Sequence, residues 1–371
     1  MSILYLSRIF QHRQWGSLRH TAGGEPDLFI VLDTMHQACH YSIMRRFVQI
    51  FLPMLPVTLC ISCLMAEQYR IVRIPGEKPG NTRYDPARFK QIDAFALETP
   101  SAVTTSLDAL ALHLTEGMQD DLDKTRAIWR WITARIAYDT EKKNYHAGPT
   151  LRDRRGTCQG YSELFVELAR RSCIKALEIT GRGRGSGYLP GERVAANHAW
   201  NAVLIDGKWH LLDATYGAGH VKDGRFIRDY REHFFLTPPD QFIYTHLPDL
   251  RRWQLRKLKI SRKEFKGLPF YRPGYFDHGL RQTDENSSSE IECGKKLALR
   301  YDAPRGVMIT INLRNDAGKT LLKRRIRRVK GVIDILLTFK DPGTYYLYGW
   351  AGPEGDPDNL AWAFTYLIVS K

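Results

Sequence analysis

Cysteine is scarce in this sequence, with six residues in 371, and only three of them lie beyond residue 66. Those three are Cys158, Cys173 and Cys293, and no two of them have the CxxC spacing. No group of cysteines and histidines has the spacing of a zinc site either. The sequence therefore implies no metal and no organic cofactor. Because three is an odd number, at least one thiol in that part of the chain has no partner within it.

Two other patterns are missing. No segment repeats at the period of a solenoid, which argues against a repeat array. The glycine-rich stretch GRGRGSG, residues 181–187, lacks the Lys-Ser/Thr ending of a phosphate-binding loop and does not open a helix. We therefore interpret this stretch either as a flexible connection or as a flap beside a cleft.

Acidic residues are few: 40 Asp and Glu stand against 55 Lys and Arg, for a net charge of +15. Basic runs at 251–267 and 323–331 could bind an anionic polymer. Such runs are more often solvated faces, and an anionic envelope polymer or lipid competes with nucleic acid as their partner. We expect a peptide or protein substrate, keep the envelope polymer or lipid as an alternative partner, and argue against nucleic acid.

A long apolar run follows two arginines in residues 45–66 and ends in small residues. This is the layout of a secretory signal peptide with a cleavage site close to Ala66. Met44 stands directly before it, so we expect translation to begin there and residues 1–43 to be an upstream over-extension that does not fold. The protein would then be exported, to the periplasm or the cell envelope.

The same run permits two other forms of membrane attachment. About twenty apolar residues can span a bilayer, so residues 44–66 could stay as an anchor. Cys63 resembles the acylated cysteine of a bacterial lipoprotein, although Cys60 occupies the position where leucine is usual. The sequence leaves signal cleavage, lipidation and a retained anchor open.

Apolar periodicity predicts helices at 104–117 and 121–138, the second with Asp120 or Asp121 as its cap. A polar loop then leads to Cys158 and a third helix with one apolar face. From residue 176 the pattern changes to strands, and the runs HAWNAVLI and KWHLLDAT flank Asp206-Gly207. An Asp-Gly pair between two such runs is a strong hairpin signal.

Beyond about residue 270 every segment alternates as a strand does. The predicted strands lie near 296–302, 306–313, 319–328, 331–340, 343–350 and 360–369. Strands at this spacing are typical of a β-sandwich. We predict an α+β thiol domain at 67–270, a linker at 271–290 and a β-sandwich at 291–371.

Cys158 has two interpretations. A cysteine is most often a small buried hydrophobe. This one stands at the start of a helix, however, where free N–H groups and the positive end of the helix dipole stabilise a thiolate and lower the thiol pKa. A nucleophilic thiol also needs a base and a group that orients the base.

The hairpin supplies both of these groups. A two-residue turn at Asp206-Gly207 fixes the register, so His198 and Asp213 project from the same face as diagonal neighbours. Their Cα atoms are then about 7–8 Å apart, a span that an imidazole–carboxylate hydrogen bond can bridge. The sequence alone thus predicts a His–Asp pair, without showing that Cys158 reaches it.

Three ordered motifs, RAIWRWITARIAYD, GTCQGYSELF and NHAWNAVLIDGKWHLLDATYG, resemble the transglutaminase-like superfamily over roughly residues 120–220. The downstream segment HFFLTPPDQFIYTHLPDLRRWQL, residues 233–255, looks like its kyphoscoliosis-peptidase-like branch, which also carries a β-sandwich. The resemblance implies a papain-like fold for the thiol domain. It also implies that Cys158 is the nucleophile, His198 its base and Asp213 the residue that holds the imidazole.

The function expected from this resemblance is acyl transfer on amide bonds of peptides or proteins through a thioester, with hydrolysis favoured over cross-linking. The backbone N–H of Cys158 is one natural oxyanion donor. The alternative is a non-catalytic envelope scaffold with a vestigial thiol site. The substrate, the acyl acceptor, the second oxyanion donor and the oligomeric state are not determined by the sequence.

Overall fold

The computed structural model of the protein describes residues 84–315 and 323–371. All of them belong to one compact unit, Ile74–Lys371. The interpretations of residues 1–43 as an over-extension and of 44–66 as a signal peptide or anchor fall outside the described residues and stay predictions. Within the described ranges no helix is long and apolar enough to cross a membrane.

Most helices lie in the first two thirds of the described chain. In order they are α1 Lys90–Leu97, α2 Leu107–Thr115, α3 Asp121–Arg135, α4 Ala147–Asp153, α5 Cys158–Arg171, α6 Ala214–Ala218, α7 Pro239–Phe242, α8 Arg262–Gly267 and α9 Pro273–Asp277. The two helices predicted before Cys158 are confirmed as α2 and α3, each shorter than expected. The cap of α3 is Asp120, whose carboxylate accepts from the N–H of Leu122 at 2.8 Å. This helix ends where Ile136 adopts an extended backbone.

In the described part of the chain the strands form two two-stranded sheets and three larger sheets. In order they are β1 Ala137–Tyr138, β2 Arg155–Gly156, β3 Ala176–Gly183, β4 Ala196–Ile205, β5 Lys208–Leu212, β6 Gly219–Lys222, β7 Arg225–Arg228, β8 His246–Pro248, β9 Phe270–Tyr271, β10 Arg281–Gln282, β11 Glu290–Cys293, β12 Lys296–Asp302, β13 Val307–Asn315, β14 Lys323–Val329, β15 Val332–Thr338, β16 Gly343–Pro353 and β17 Ala361–Ser370. The sheet that concerns the site has the order β5-β4-β3-β8. The alternation of α-rich and β-rich parts confirms the α+β class.

The apolar face of α5 packs against this sheet. Leu164, Phe165 and Leu168 are fully buried at three- and four-residue spacing, and Val203 of β4 and Leu212 of β5 belong to the same core. Burial of each such side chain stabilises the fold by about 1.5–3 kcal/mol. This packing holds the helix that begins at Cys158 against the strand that carries His198.

The predicted hairpin is confirmed in its register. Ile205 pairs with Lys208, and the pairing continues without a shift to Asn201 and Leu212. The turn residues Asp206 and Gly207 both have positive φ, 50° and 71°, as a two-residue turn of this kind requires. β5 ends one residue before Asp213, which caps the short helix α6 instead of continuing the strand.

A buried arginine ties α3 to the neighbourhood of Asp213. Arg126 is 1% exposed and makes two hydrogen bonds to Asp93, at 2.6 and 2.7 Å, and two to Glu232, at 2.6 and 2.8 Å. Glu232 opens the turn that ends at Phe234, whose carbonyl accepts the N–H of Asp213 at 3.0 Å. A buried charge that loses its partners costs about 3–5 kcal/mol, so this ion network fixes the turn firmly.

The C-terminal strands form the predicted β-sandwich. One sheet has the order β10-β12-β15-β14 and the other β11-β17-β16-β13. Leu299 and Ile335 of the first sheet meet Leu347, Phe364 and Ile368 of the second in one buried cluster. The six predicted strands correspond to β12 to β17 within a few residues, and part of the segment predicted at 319–328 lies outside the described residues.

The prediction of a linker at 271–290 is wrong for its first twelve residues. Tyr271 pairs with Phe364 of β17, Tyr275 of α9 is buried in the core of the sandwich, and Gln282 pairs with Tyr301 of β12. Even Ser289, in the polar stretch that suggested a linker, is fully buried. The polar composition of this segment did not indicate that it is packed, because the buried groups there are tyrosines and hydrogen-bonded side chains.

Candidate active site

Cys158 is the first residue of α5. Thr157 caps the helix, and its hydroxyl accepts from the N–H of Gly160 at 3.3 Å. The Cys158 side chain is half-buried, is a free thiol, and has its Sγ 3.7 Å from the carbonyl oxygen of Asn197. The positive end of a 14-residue helix thus lies beside this sulfur, a setting that favours the thiolate.

Buried hydrogen bonds set the position of α5 along β4. The Ser162 hydroxyl donates to the carbonyl of Trp200 at 3.0 Å. The Asn201 amide nitrogen donates to Ser162 twice, to its carbonyl at 3.1 Å and to its hydroxyl oxygen at 2.9 Å. Ser162 lies one turn after Cys158, and Trp200 lies two residues after His198, so these bonds fix the start of α5 relative to the strand that carries His198.

The three residues named from the sequence come together. His198 Nε2 lies 2.7 Å from Asp213 Oδ2, and both side chains are buried. The imidazole uses Nε2 for the carboxylate, which leaves Nδ1 for the thiol, and the two side chains are close enough for each to shift the pKa of the other. A thiol, an imidazole and a carboxylate in this order can transfer a proton from sulfur to nitrogen.

A second histidine, which the sequence did not reveal, binds the same carboxylate. His246 Nε2 lies 2.9 Å from Asp213 Oδ2, and the Thr245 hydroxyl lies 2.8 Å from His246 Nδ1. The other carboxylate oxygen, Oδ1, accepts the N–H of Tyr216 at 3.0 Å as the cap of α6. Asp213, which is fully buried, is thus held by three donors.

The pKa values agree with one charged and one neutral histidine. Burial disfavours the imidazolium of His198, but the charge of Asp213 and its hydrogen bond outweigh burial and raise the pKa of His198. Burial lowers the pKa of His246, and its hydrogen bond to Asp213 offsets this only in part. The pKa of Asp213 lies well below its usual range because both histidines outweigh the effect of burial.

The thiol follows the same pattern. Burial alone would raise the pKa of Cys158. The hydrogen bond to His198, the positive charge of that ring and the N–H of Ala199 lower it further than burial raises it. The lowered pKa of Cys158 and the raised pKa of His198 together favour a thiolate–imidazolium pair.

The glycine-rich stretch borders the site. Gly183, Gly185 and Gly187 line a cavity of about 460 Å³ beside His198. A Cβ on Gly183 would lie 2.6 Å from Tyr216 Oη and 2.8 Å from Cδ2 of His198, too close for any side chain. Tyr216 itself stacks on the His198 ring, with centroids 4.3 Å apart. Gly183 therefore allows the backbone of β3 to approach the imidazole.

Trp200, by contrast, belongs to the core. It is 1% exposed and packs among Trp209, Phe234 and Phe242 instead of lining the cavity. Tyr138 does line it, since β1 pairs with β2 and sets Tyr138 beside Gly156, two residues before Cys158. Burial, followed by the nearby charge of Cys158, raises the pKa of Tyr138 to about 12.

Among the described residues, one group of side chains has the density of a metal site: His198, Asp213 and His246, with ligand atoms within 4.8 Å of one another. Both Nε2 atoms point at the same carboxylate oxygen at hydrogen-bond distances. A metal would have to replace these N–H···O bonds and take His198 away from the thiol. The geometry therefore favours a hydrogen-bonded group over a metal centre.

Two family models match the chain. The model described as the transglutaminase-like superfamily matches residues 108–214, and the KY-like, immunoglobulin-like domain matches residues 262–371. The first range contains Cys158, His198 and Asp213. His246 lies between the two ranges, in a three-residue strand whose length and spacing give no signal for its link to Asp213.

Curated relatives cover parts of the same region. Kyphoscoliosis peptidase of Homo sapiens is 30% identical over 287 residues, which cover 68% of this chain and 43% of that protein. Hillarin of Drosophila melanogaster is 30% identical over 226 residues, 56% of this chain and 28% of that protein. The chain therefore spans less than half the length of these relatives. A solved structure of the periplasmic domain of TgpA from Pseudomonas aeruginosa is 22% identical, covers 36% of this chain and 48% of that chain, and has a TM-score of 0.26.

Gly183→Ala tests the contact between β3 and the imidazole. The added methyl group displaces His198 and Tyr216, so the rate of Cys158 alkylation at pH 6 should fall roughly tenfold for each pKa unit by which the thiol returns toward its ordinary value. Gly187→Ala is the matched control, because a Cβ there has no atom within 4 Å. Equal rates in the two variants would contradict this role of Gly183.

His246→Leu removes one donor from Asp213. The free energy of unfolding at pH 7 should fall by about 1–3 kcal/mol, and less for His246→Gln, whose amide can still donate. The native state keeps His246 neutral while the unfolded chain protonates it below about pH 6.5, so the wild type loses this stability as the pH falls. Urea unfolding should show the gap to the Leu variant narrowing from pH 6.5 downward. A gap that is absent at pH 7, or that widens in acid, would refute the assignment.

Proposed function

Because this chain belongs to the transglutaminase-like superfamily, in its kyphoscoliosis-peptidase-like branch, we propose that it is a cysteine-dependent acyl-transfer enzyme acting on amide bonds of peptides or proteins. The observation that carries the proposal is the contact chain from the thiol at the start of α5 through His198 to the buried carboxylate of Asp213. Cys158 is the nucleophile, His198 the general base and acid, and Asp213 the residue that orients the imidazole.

The first half-reaction forms a thioester. The Cys158 thiolate attacks the amide carbonyl carbon, a C–S bond forms, and the carbonyl oxygen takes the negative charge. The Nδ1 proton of His198 then passes to the amide nitrogen, the C–N bond breaks, and the amine leaves. Asp213 keeps Nε2 occupied throughout, so the ring cannot rotate away from sulfur.

The second half-reaction depends on the acceptor. His198, now neutral, takes a proton from water or from a primary amine as that molecule attacks the thioester carbon, and the thiolate of Cys158 leaves. Water gives a peptidase or amidase, and an amine gives a transglutaminase. We favour hydrolysis because the cavity beside His198 is open to solvent, where water is in large excess over any amine.

Oxyanion stabilisation requires donors near the attacked carbonyl. The backbone N–H of Cys158, at the N-terminus of α5, is the first candidate. Tyr138 is the second, since it lines the cavity beside Gly156 and its pKa of about 12 keeps the phenol protonated.

Location and other partners stay proposals based on the sequence. Export to the periplasm or envelope is proposed from residues 45–66. An anionic polymer or lipid is proposed for the basic runs 251–267 and 323–331, and residues of neither run line the cavity. The acyl-transfer site and these surfaces would then serve different contacts.

The thiolate–imidazolium pair predicts the pH profile of alkylation. Because the pKa of Cys158 is lowered, iodoacetamide should react with it faster at pH 6 than with a free thiol, whose pKa is about 8.5. The rate should decline only below the lowered thiol pKa. Cys293, whose pKa burial raises, is the internal control and should lag at every pH below about 9. A Cys158 rate no higher than that of Cys293 at pH 6 would favour a vestigial thiol site.

Reaction products test the function itself. The full chain incubated with a peptide library and a labelled primary amine should give cleaved or deamidated peptides by mass spectrometry, with less amine incorporation than hydrolysis. Cys158→Ala, His198→Ala and the double variant should lose activity by the same factor, because residues that act as one unit do not contribute additively. Products that persist in Cys158→Ala, or losses that add in the double variant, would exclude this mechanism.

A further inference from the structure

The cavity beside His198 has one charged wall residue that the proposed chemistry does not use. The wall includes Tyr138, His198 and Tyr216 from the first domain, and this further residue is Arg272 from the second. Arg272 lies in the part of the sequence that was expected to be a linker. Its presence in this wall means that the β-sandwich contributes a charged side chain to the space next to the catalytic imidazole.

The backbone and side chain of Arg272 are both fixed. Its N–H donates to the carbonyl of Ala363 in β17 at 2.8 Å, directly after the pairing of β9 with β17. The guanidinium carbon lies 4.6 Å from the ring centre of Trp362 and 5.2 Å from that of Phe270. Nη1 donates to the carbonyl of Arg184 at 3.1 Å. A guanidinium held in this way is preorganised, because little side-chain freedom is left to lose on binding.

The positive charge of Arg272 has no carboxylate partner among the described residues. The residue is 3% exposed, it forms no ion pair within 4 Å, and its buried Nε has no hydrogen-bond partner there. Burial, followed by the charge of Arg231, lowers the pKa of Arg272 to about 9, so it is still protonated at neutral pH. Burying an unpaired charge is costly, so a negatively charged ligand at Arg272 would offset part of this cost.

Arg184, a neighbouring buried arginine, shows what a structural guanidinium looks like in this protein. Its two terminal nitrogens donate to four backbone carbonyls, those of Tyr244, Phe265, Lys266 and Leu268. Arg184 does not line the cavity. Arg272 satisfies only one carbonyl and faces the cavity, so Nη2 is the nitrogen that can donate to a group inside it.

Other charged side chains around the cavity add to the positive charge of Arg272. Arg231 lines the same cavity and is paired with Asp229, with Nε 2.9 Å from the carboxylate. Arg193 also contributes to the wall. The acidic group in the wall is Glu192, which is exposed and accepts the N–H of Leu189 at 3.1 Å. Three guanidinium groups against Glu192 and Asp229 leave the cavity with an excess of positive charge.

We propose that Arg272, supported by Arg231, is the binding site for a carboxylate of the substrate, so that this enzyme acts on peptides that carry a negative charge close to the amide bond that is cleaved. The carboxylate is either the C-terminal α-carboxylate of the peptide or the side chain of an aspartate or glutamate. This inference rests on the acyl-transfer function proposed above and names its substrate class.

The placement of Arg272 fits such a substrate. Tyr216 stacks on His198, and both rings line the same cavity as Arg272. One substrate bound in this cavity can therefore contact the guanidinium and lie beside the imidazole. An extended chain advances about 3.3 Å per residue, so we expect the carboxylate to lie within a few residues of the attacked amide.

Matched peptides test the proposal. The full chain is assayed with an N-acetylated peptide as its free acid, the same peptide as its C-terminal amide, and the amide with an internal glutamate or glutamine. The acid, or the glutamate peptide, should have a kcat/KM about 10- to 100-fold higher than its neutral partner, chiefly through KM, as expected for a charge-assisted bond to arginine. A preference for the free acid over the C-terminal amide would identify the α-carboxylate as the bound group. A preference for glutamate over glutamine would identify the side-chain carboxylate.

Substitutions then assign the preference to Arg272. Arg272→Met should bring the acid-to-neutral ratio to about one while the neutral peptide is still turned over, and Arg272→Lys should give an intermediate ratio because it keeps the charge but not the planar fork. Arg305→Met, at an exposed position that does not line the cavity, should keep the preference. A wild type without any preference, or an Arg272→Met variant that retains it, overturns the proposal. The comparison of acidic and neutral peptides on the wild-type protein tests the proposal even if Arg272→Met does not fold.

Binding separates this proposal from the proposed function. Titration of the Cys158→Ala protein with the same labelled peptides needs no turnover, and the acidic peptide should bind about 10-fold or more tightly than the neutral one. If binding discriminates but no peptide is ever cleaved by the wild type, the carboxylate site stands and the acyl-transfer function fails. If peptides are cleaved without discrimination in either assay, the function stands and the carboxylate site fails.

Discussion

The arrangement of side chains in the candidate active site depends on the buried carboxylate of Asp213. It has no exposure to solvent, and it accepts hydrogen bonds from His198, His246 and the N–H of Tyr216. An unpaired carboxylate at this depth would be very costly, and these donors together stabilise its ionised form. Because three different parts of the chain converge on one side chain, its charge organises β4, β8 and α6 around the imidazole.

The two histidines show how one carboxylate can serve two roles. His198 is placed to carry the positive charge, because it faces both Asp213 and the thiol. His246 is surrounded by Phe242 and Trp200 and stays neutral, donating one proton to Asp213 while its other nitrogen faces Thr245. A neutral donor fixes the carboxylate without cancelling the charge that His198 needs. This division follows from the environments of the two rings and not from any difference in residue type.

The β-sandwich takes part in the site as well as following it in the chain. β9 adds to the edge of β17, and the next residue, Arg272, enters the cavity wall beside His198. The same short segment continues into α9 and the tyrosine cluster of the sandwich core. Cutting the chain between the two domains would therefore separate part of the cavity wall from the imidazole. The position of the sandwich thus helps to shape this cavity.

The sequence by itself determined what local rules control. The Asp-Gly turn, the strand period of two and the helix that opens at Cys158 were enough to predict the hairpin register, the His198–Asp213 pair and the strands of the sandwich, because each depends on neighbours along the chain or across one turn. The tertiary structure decided the rest: that Cys158, which only the family resemblance linked to His198, lies beside it, that His246 shares Asp213, and that Arg272 of the expected linker faces the cavity. Those contacts join residues whose separation in the chain carries no periodic signal, and they exist only because packing of α5, β8 and β9 brings their backbones together.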